Sequence, residues 1–262
     1  MGADRPQPRQ PLRIAVVGAG SSGLLLTLLL QRQGHRVSLF ERSSRLRSEG
    51  CGILLVRSGV EAIAAAAVPG LLDALLAGGR PVERFVIRNL RGDLIETSPA
   101  GRDPGELPSL LIRRQAILEA FWQHTDPVSF QPDAELEDWR QDGCSVEARF
   151  RNGRRWQGDL LIGADGLFSR LAPLLVPQRQ LHYLGDRVWR GVVLDGRMLE
   201  PGDFLVVARG RGVYANAFDL GAEDPDGRGA PITHWGFFQE EPLPAGRDAQ
   251  RRLLQEPVPE QA

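Results

Sequence analysis

The stretch from Ile14 to Glu41 constrains this chain more than any other. Ile14, Ala15, Val16 and Val17 are apolar and uncharged, which predicts a short strand buried on both faces. Gly18, Gly20 and Gly23 follow at G-x-G-x-x-G spacing. In that pattern the first glycine permits a tight turn, the second lets backbone approach a pyrophosphate, and the third lets the helix pack against the strand. Ser21 and Ser22 suit a helix start, where free N–H groups and the dipole favour an anion. The run from Leu24 to Leu30 is apolar apart from Thr27, and Gly34 closes the helix. Val37 to Phe40 predicts a second strand. Glu41 ends it about 20 residues after the glycines, where a carboxylate accepts the hydroxyls of a ribose. Strand, glycines, helix, strand and acid in this order predict a dinucleotide site. An acid at position 41 disfavours a 2′-phosphate, and hence NADP, at that site. The fingerprint alone does not separate FAD from NAD.

Composition narrows the alternatives. At 262 residues the chain is long enough for one large domain or two small ones. Its 42% apolar and 25% charged content is that of a soluble globular protein, and a net charge of -1 suggests no nucleic-acid partner. There is no lysine, which excludes a Walker A lysine and a Schiff-base lysine. Cys51 and Cys144 make neither a disulfide framework nor a metal set. His35, His124, His182 and His234 lie far apart without ligand spacing and read as structural or surface histidines. The N-terminal M-G-A-D-R-P-Q-P-R-Q is polar and proline-rich, a disordered leader rather than a signal peptide. The apolar run in the fingerprint is too short to span a bilayer, so the expectation is a cytoplasmic chain without stable membrane insertion.

After the fingerprint, residues 42–56 read as a basic loop, then Gly50, Cys51 and Gly52, then an apolar strand. The two glycines could admit something flat against the backbone, or simply join a loop to a strand with Cys51 as a small buried residue. Residues 57–77 read as two helical pieces divided at Pro69 and Gly70. Val82 to Leu90 and Leu94 to Thr97 alternate around Arg91, Gly92 and Asp93, a β-hairpin interrupting the α/β pattern. Leu110 to Ile112 predicts a strand; Arg113 and Arg114 follow, then a helix carrying Ile117, Leu118 and Phe121. At that junction an arginine can reach a phosphate or a flavin edge, or form part of a solvated basic pair. Short strands follow around 128–130, 134–139 and 144–150, with a turn at Asn152 and Gly153. Leu160 to Ile162 predicts a buried strand running into Gly163, and Asp165 lies at its carboxyl end. There it can meet a ligand or cap the next helix. From Leu181 the helical signal gives way to strands at 182–194, 204–208, 213–218 and 232–238, and beyond Glu240 the chain is polar.

Four of these pieces, in order, resemble one family: G-A-G-S-S-G with Glu41, G-C-G-I-L-L, the arginine before a helix, and G-A-D-G-L-F-S-R. They look like the FAD-dependent aromatic hydroxylases, the single-component flavoprotein monooxygenases with the p-hydroxybenzoate hydroxylase fold. Tyr183 to Val193 also resembles the strand that opens the family's substrate sheet. The resemblance implies an α/β, Rossmann-like FAD-binding domain over 12–178, with the hairpin at about 81–108 as an insertion. A β-rich substrate domain over 179–240 would follow, between a leader at 1–11 and a polar tail at 241–262. Gly18, Gly20, Ser22 and Gly23 would hold the pyrophosphate and Glu41 the adenosine ribose. Ala19, Arg42, Gly52 and Gly166 are also assigned to the cofactor. Arg114 fits the family's R-x-x-L register best, with Ile117 in the apolar place and Arg113 as the alternate. Gly163 and Asp165 belong to the motif used near FAD and the pyridine nucleotide.

The implied cofactor is FAD and the implied co-substrate NAD(P)H; O₂ and a small electron-rich aromatic molecule are the other reactants, and the reaction is hydroxylation. Two departures stand out. The family's second arginine is Ala172 here, with Arg170 close by, and the later G-D-A-A-H segment is missing. The chain therefore resembles the first two-thirds of a family member: a truncated form, a fragment, or a subunit completed by another chain or a homo-oligomer. A flavin reductase or dehydrogenase without oxygen transfer, and a non-catalytic FAD-binding remnant, are the competing functions.

Overall fold

The computed structural model describes residues 10–46, 50–101, 103–180, 182–194, 199–210, 212–221, 232–242 and 245–246. Most of the expected leader, most of the polar tail, part of the loop after Arg42, and Leu181 lie outside the described residues. In chain order the first elements are β1 (Arg13–Val17), α1 (Ser21–Arg32), β2 (Arg36–Phe40), β3 (Gly52–Leu55), α2 (Arg57–Ala65) and α3 (Leu71–Gly78). They are followed by β4 (Gly79–Pro81), β5 (Arg84–Arg88), β6 (Leu94–Pro99), β7 (Leu110–Arg113), α4 (Arg114–Gln123) and β8 (Phe130–Gln131). Next come β9 (Leu136–Gln141), β10 (Val146–Phe150), β11 (Arg155–Gly158), β12 (Leu160–Gly163) and α5 (Leu171–Leu175). The chain then continues as β13 (Asp186–Leu194), β14 (Asp203–Arg209), β15 (Gly212–Asp219) and β16 (Ile232–Glu240). Among the described residues no helix is long and apolar enough to cross a membrane.

The chain divides into two compact units, one of residues 1–49 and 117–179, the other of residues 50–116 and 180–262. The first holds a parallel sheet in the order β12-β1-β2-β8 and an antiparallel sheet in the order β11-β10-β9. Its core joins Ala15, Val17 and Phe40 to Leu136, Ala148 and Phe150. Phe40 and Phe150 stack with ring centroids 4.2 Å apart, and Trp156 meets Phe40 edge-on at 6.5 Å. Leu24 and Leu28 of α1 are fully buried, and Gly34, at φ +86°, ends the helix in the left-handed conformation expected just past a C-cap.

The strand expected to be buried at Leu160 to Ile162 forms, but it lies at the edge of the parallel sheet. Among the described residues it pairs only with β1, and Leu160 is 42% exposed. An apolar triplet reads alike at the centre and at the edge of a sheet; only the strand order distinguishes them.

The second unit holds a six-stranded sheet, β13-β16-β15-β14-β5-β6, and a small antiparallel sheet, β3-β7-β4. Residues 82–97 do form the expected hairpin. However, β5 pairs in parallel with β14, from Arg84 beside Asp203 to Arg88 beside Val207. The hairpin thus extends the C-terminal sheet instead of interrupting the first domain. Arg84 fixes the pairing by donating from Nε and Nη2 to the two carboxylate oxygens of Asp203 at 2.7 and 3.1 Å. Val82, Leu111, Phe218, Leu220 and Ile232 form the core, and Phe204 stacks on Phe218 at 5.2 Å.

Phe150→Ala tests the first core. It removes a ring with almost no exposed surface from its stack on Phe40, so urea unfolding should show a loss of roughly 3–5 kcal/mol. A change below about 1 kcal/mol would mean that the two sheets of this unit do not share a core.

Candidate functional site

Three glycines build the turn from β1 to α1, each for a different reason. Gly18 has φ +105°, and its N–H donates to the Phe40 carbonyl at 2.7 Å. A Cβ on Gly18 would overlap the Ala164 carbonyl oxygen, and one on Gly23 would overlap the Gly18 carbonyl oxygen. Both are close-approach glycines that hold the turn against its own unit. Gly20 is different. Its backbone is extended, at φ -75° and ψ -176°, and among the described residues no atom beyond its chain neighbours lies within 4 Å of where its Cβ would stand. Packing does not require glycine there. The open space adjoins the N-terminus of α1, with Gly20 as N-cap and no side-chain cap. The opening N–H groups of a helix have no intrahelical acceptor, and the dipole there favours negative charge. Ser21 and Ser22 are exposed beside this space. These features fit a pyrophosphate.

Glu41 sits at the end of β2, half-buried, with its carboxylate on the glycine turn. Oε2 accepts from the Ala19 N–H at 2.9 Å and Oε1 from the Ser43 N–H at 3.0 Å. A carboxylate offers about four acceptor positions, so the two bonds leave capacity for two hydroxyls. Ala19, assigned to the cofactor on sequence, donates its N–H to Glu41. Arg42 is exposed at the head of the following loop.

The second motif meets the first at the backbone. The Ala164 N–H donates to the Val17 carbonyl at 2.7 Å, and the same peptide seats against Gly18. Gly163 has its Cβ space filled by Leu171 Cδ2 at 2.7 Å, and Gly166 turns with φ +81°. The Asp165 carboxylate caps the following helix, a role compatible with the ligand contact also expected of it. Oδ1 accepts from the Ser169 hydroxyl at 2.6 Å, and Oδ2 accepts from the N–H groups of Arg170 and Leu171 at 2.6 and 3.2 Å. Sequence reasoning missed Ala164, whose part is played by backbone alone.

Gly52 and Arg114 belong to the second unit. The flat group against Gly52 is the protein's own. A Cβ there would lie 2.6 Å from Phe218 Cε2 and 2.7 Å from Leu220 Cδ2. The Gly52 N–H donates to His234 Nδ1 at 3.1 Å. Arg114 opens α4 at the expected strand-to-helix junction; its N–H donates to the Cys51 carbonyl at 3.2 Å and its stem packs over Gly50. Arg113 pairs in register with Gly52. His234, read on sequence as one of four scattered histidines, is thus a buried partner of a candidate site residue.

The fold and the turn together define a dinucleotide-binding α/β protein, and comparison with known proteins resolves which dinucleotide. A family described as FAD binding domain matches residues 12–183. The 3-amino-4-hydroxybenzoate 2-monooxygenase of Streptomyces cremeus is 32% identical over 254 residues, covering 86% of this chain and 62% of that protein. The aurachin C monooxygenase/isomerase of Stigmatella aurantiaca is 31% identical over 234 residues, covering 83% and 60%. The structure of 2,6-dihydroxypyridine-3-hydroxylase from Arthrobacter nicotinovorans has a TM-score of 0.73 at 23% identity, over 90% of this chain and 58% of that one. This chain belongs to the FAD-binding family of flavoprotein monooxygenases and has the p-hydroxybenzoate hydroxylase-like fold. It spans about 60% of the length of the two relatives named above.

Two predictions separate the glycines and weigh the histidine. Gly23→Ala should cost upwards of about 2 kcal/mol in urea unfolding, because its methyl has no room. Gly20→Ala should unfold within about 0.5 kcal/mol of wild type. Equal losses would contradict the division of duties. Burial, with a smaller contribution from Arg190, lowers the His234 pKa from 6.5 to about 4. Between those values the folded chain binds fewer protons than the unfolded one. Stability therefore falls as pH drops from about 6.5 towards 4, by roughly 3 kcal/mol, and levels off below. His234→Asn should show a shallower decline between about pH 7 and about pH 4.5; an identical decline would remove His234 from the account.

Proposed function

We propose that this chain is the FAD-binding part of an NAD(P)H-dependent monooxygenase that hydroxylates a small aromatic or heterocyclic molecule with O₂. The observation that carries the proposal is the space left open at Gly20, bounded by the N-terminus of α1 on a turn where Glu41 is already anchored. In this reading the N–H groups of Ser21 and Ser22 bind the pyrophosphate, and Glu41 accepts from the adenosine ribose hydroxyls. Gly18 and Gly23 act indirectly, by fixing the turn. Asp165 also acts indirectly, by capping α5 and so setting the Ala164 peptide against Gly18. Gly52 and Arg114 are carried over to the cofactor from the resemblance.

When bound, FAD supplies electron transfer from a nicotinamide and activation of O₂. The protein's part is to bind and orient the cofactor and to exclude water. The relatives, a monooxygenase of an aminohydroxybenzoate and one of aurachin C, favour oxygen transfer over simple reduction.

The test is a titration of the purified chain with FAD, followed by flavin fluorescence. Wild type should bind, and Glu41→Ala, which leaves two hydroxyls without a charged acceptor, should bind about 10- to 100-fold more weakly. Unchanged affinity in the variant would remove Glu41 from the site. Supplying ¹⁸O₂ with NAD(P)H and candidate aromatics then asks for label in the product; NAD(P)H oxidation that releases only hydrogen peroxide would count against hydroxylation.

A further inference from the structure

We propose that His234 is a positioning residue for the cofactor: from β16 it clamps the Gly50–Gly52 backbone, and FAD affinity depends on that clamp. The proposal rests on the reading above, because it is the resemblance that assigns Gly52 and Arg114 to FAD.

The segment is held at each of its three residues. The Arg114 stem lies 3.2 to 3.6 Å from the place of a Gly50 Cβ. The Cys51 carbonyl accepts from the Arg114 N–H at 3.2 Å. The Gly52 N–H donates to His234 Nδ1 at 3.1 Å. The first two contacts come from the junction of β7 and α4, next to Gly52 in the same small sheet. The third comes from the six-stranded sheet, 182 residues along the chain.

Strand order explains why a histidine is needed. β3 is an edge strand, paired on one side with β7. An N–H on its other side has no ladder partner, and Gly52 is buried, so water does not serve it. His234 is 3% exposed and packs on the Phe218 ring with centroids 4.3 Å apart. Phe218 and Leu220 fill the space of the missing Gly52 side chain. An aliphatic residue at 234 could keep that packing. It could not accept the N–H. The imidazole therefore supplies a single acceptor, and in the neutral form that uses Nδ1 as acceptor the ring proton sits on Nε2. What the clamp fixes is the height of one peptide, in the stretch assigned to the cofactor, relative to the sheet that carries Trp189, Trp235 and Phe237.

The chain carries its own reporter. Cys51 is a free, partly exposed thiol inside the clamped segment, and Cys144 is a free, exposed thiol in the other unit. Site-resolved alkylation with iodoacetamide, read by mass spectrometry on the full chain without FAD, compares the two. His234→Leu should speed modification of Cys51 relative to Cys144 by about tenfold, and the same variant should bind FAD at least about tenfold more weakly. His234→Asn, whose amide oxygen can take the place of Nδ1, should restore both towards wild type. Should His234→Leu fail to fold by circular dichroism, His234→Gln serves instead, since it stays polar but places its acceptor farther out. Equal Cys51 rates in wild type and variant would overturn the clamp. Faster Cys51 with unchanged FAD affinity would overturn its role towards the cofactor. A wild-type chain that takes up no FAD would overturn the functional reading above and the cofactor half of this proposal, while the alkylation result would still decide whether the clamp exists.

Discussion

The Gly18 carbonyl oxygen occupies the place where residue 23 would carry a Cβ, and Gly18 in turn meets the Ala164 peptide. Much of the first unit follows from these two approaches. They bring the start of α1 down onto the carboxyl end of β1, so that Leu24 and Leu28 bury themselves and the helix N-terminus opens beside Gly20. They also tie the strand before α1 to the strand before α5, because the Ala164 N–H reaches the Val17 carbonyl. Glu41 completes the arrangement through Ala19. The open N-terminus of α1, where we propose an anion and a sugar bind, is then a by-product of backbone packing, with one glycine left over that packing does not use.

The second unit is held by different means. Two arginines pair with buried carboxylates: Arg84 forks onto Asp203, and Arg80 Nε lies 2.6 Å from Asp219. Asp203 and Asp219 are 6% and 5% exposed, and removing either arginine would leave a buried charge without its partner. These pairs tie β5 and the end of β4 to the C-terminal strands. Through β5 and β6, residues 84–99 are part of the sheet that is completed more than a hundred residues later.

What could be read from the sequence divides along the same line. The turn at Gly18 to Gly23, the helix after it and the acid at 41 were legible because each depends on neighbours within one βαβ unit, where residue type and spacing carry the physics. The cap at Asp165 was legible as one of two compatible roles, since a carboxylate shortly before a helix is a local signal. The hairpin was legible as a hairpin, from Arg91, Gly92 and Asp93, but its partner strand was not. Arg84 and Asp203 are 119 residues apart, and no periodicity links them. The same holds for His234 and Gly52, and for the edge position of Leu160 to Ile162. Strand order and long-range hydrogen bonds are decided in three dimensions. The glycine at 52 shows the ambiguity most sharply: its type was explained by close approach, and the approaching group is Phe218.

We propose that the N-terminus of α1 and the open side of Gly20 receive the pyrophosphate of FAD. This is tested most directly by recording amide resonances of the ¹⁵N-labelled full chain during titration with FAD, with ADP as a second ligand. The largest shifts, for both ligands, should fall on Gly20, Ser21 and Ser22, the amides around the open space. Binding of FAD that leaves these three amides unmoved would contradict it.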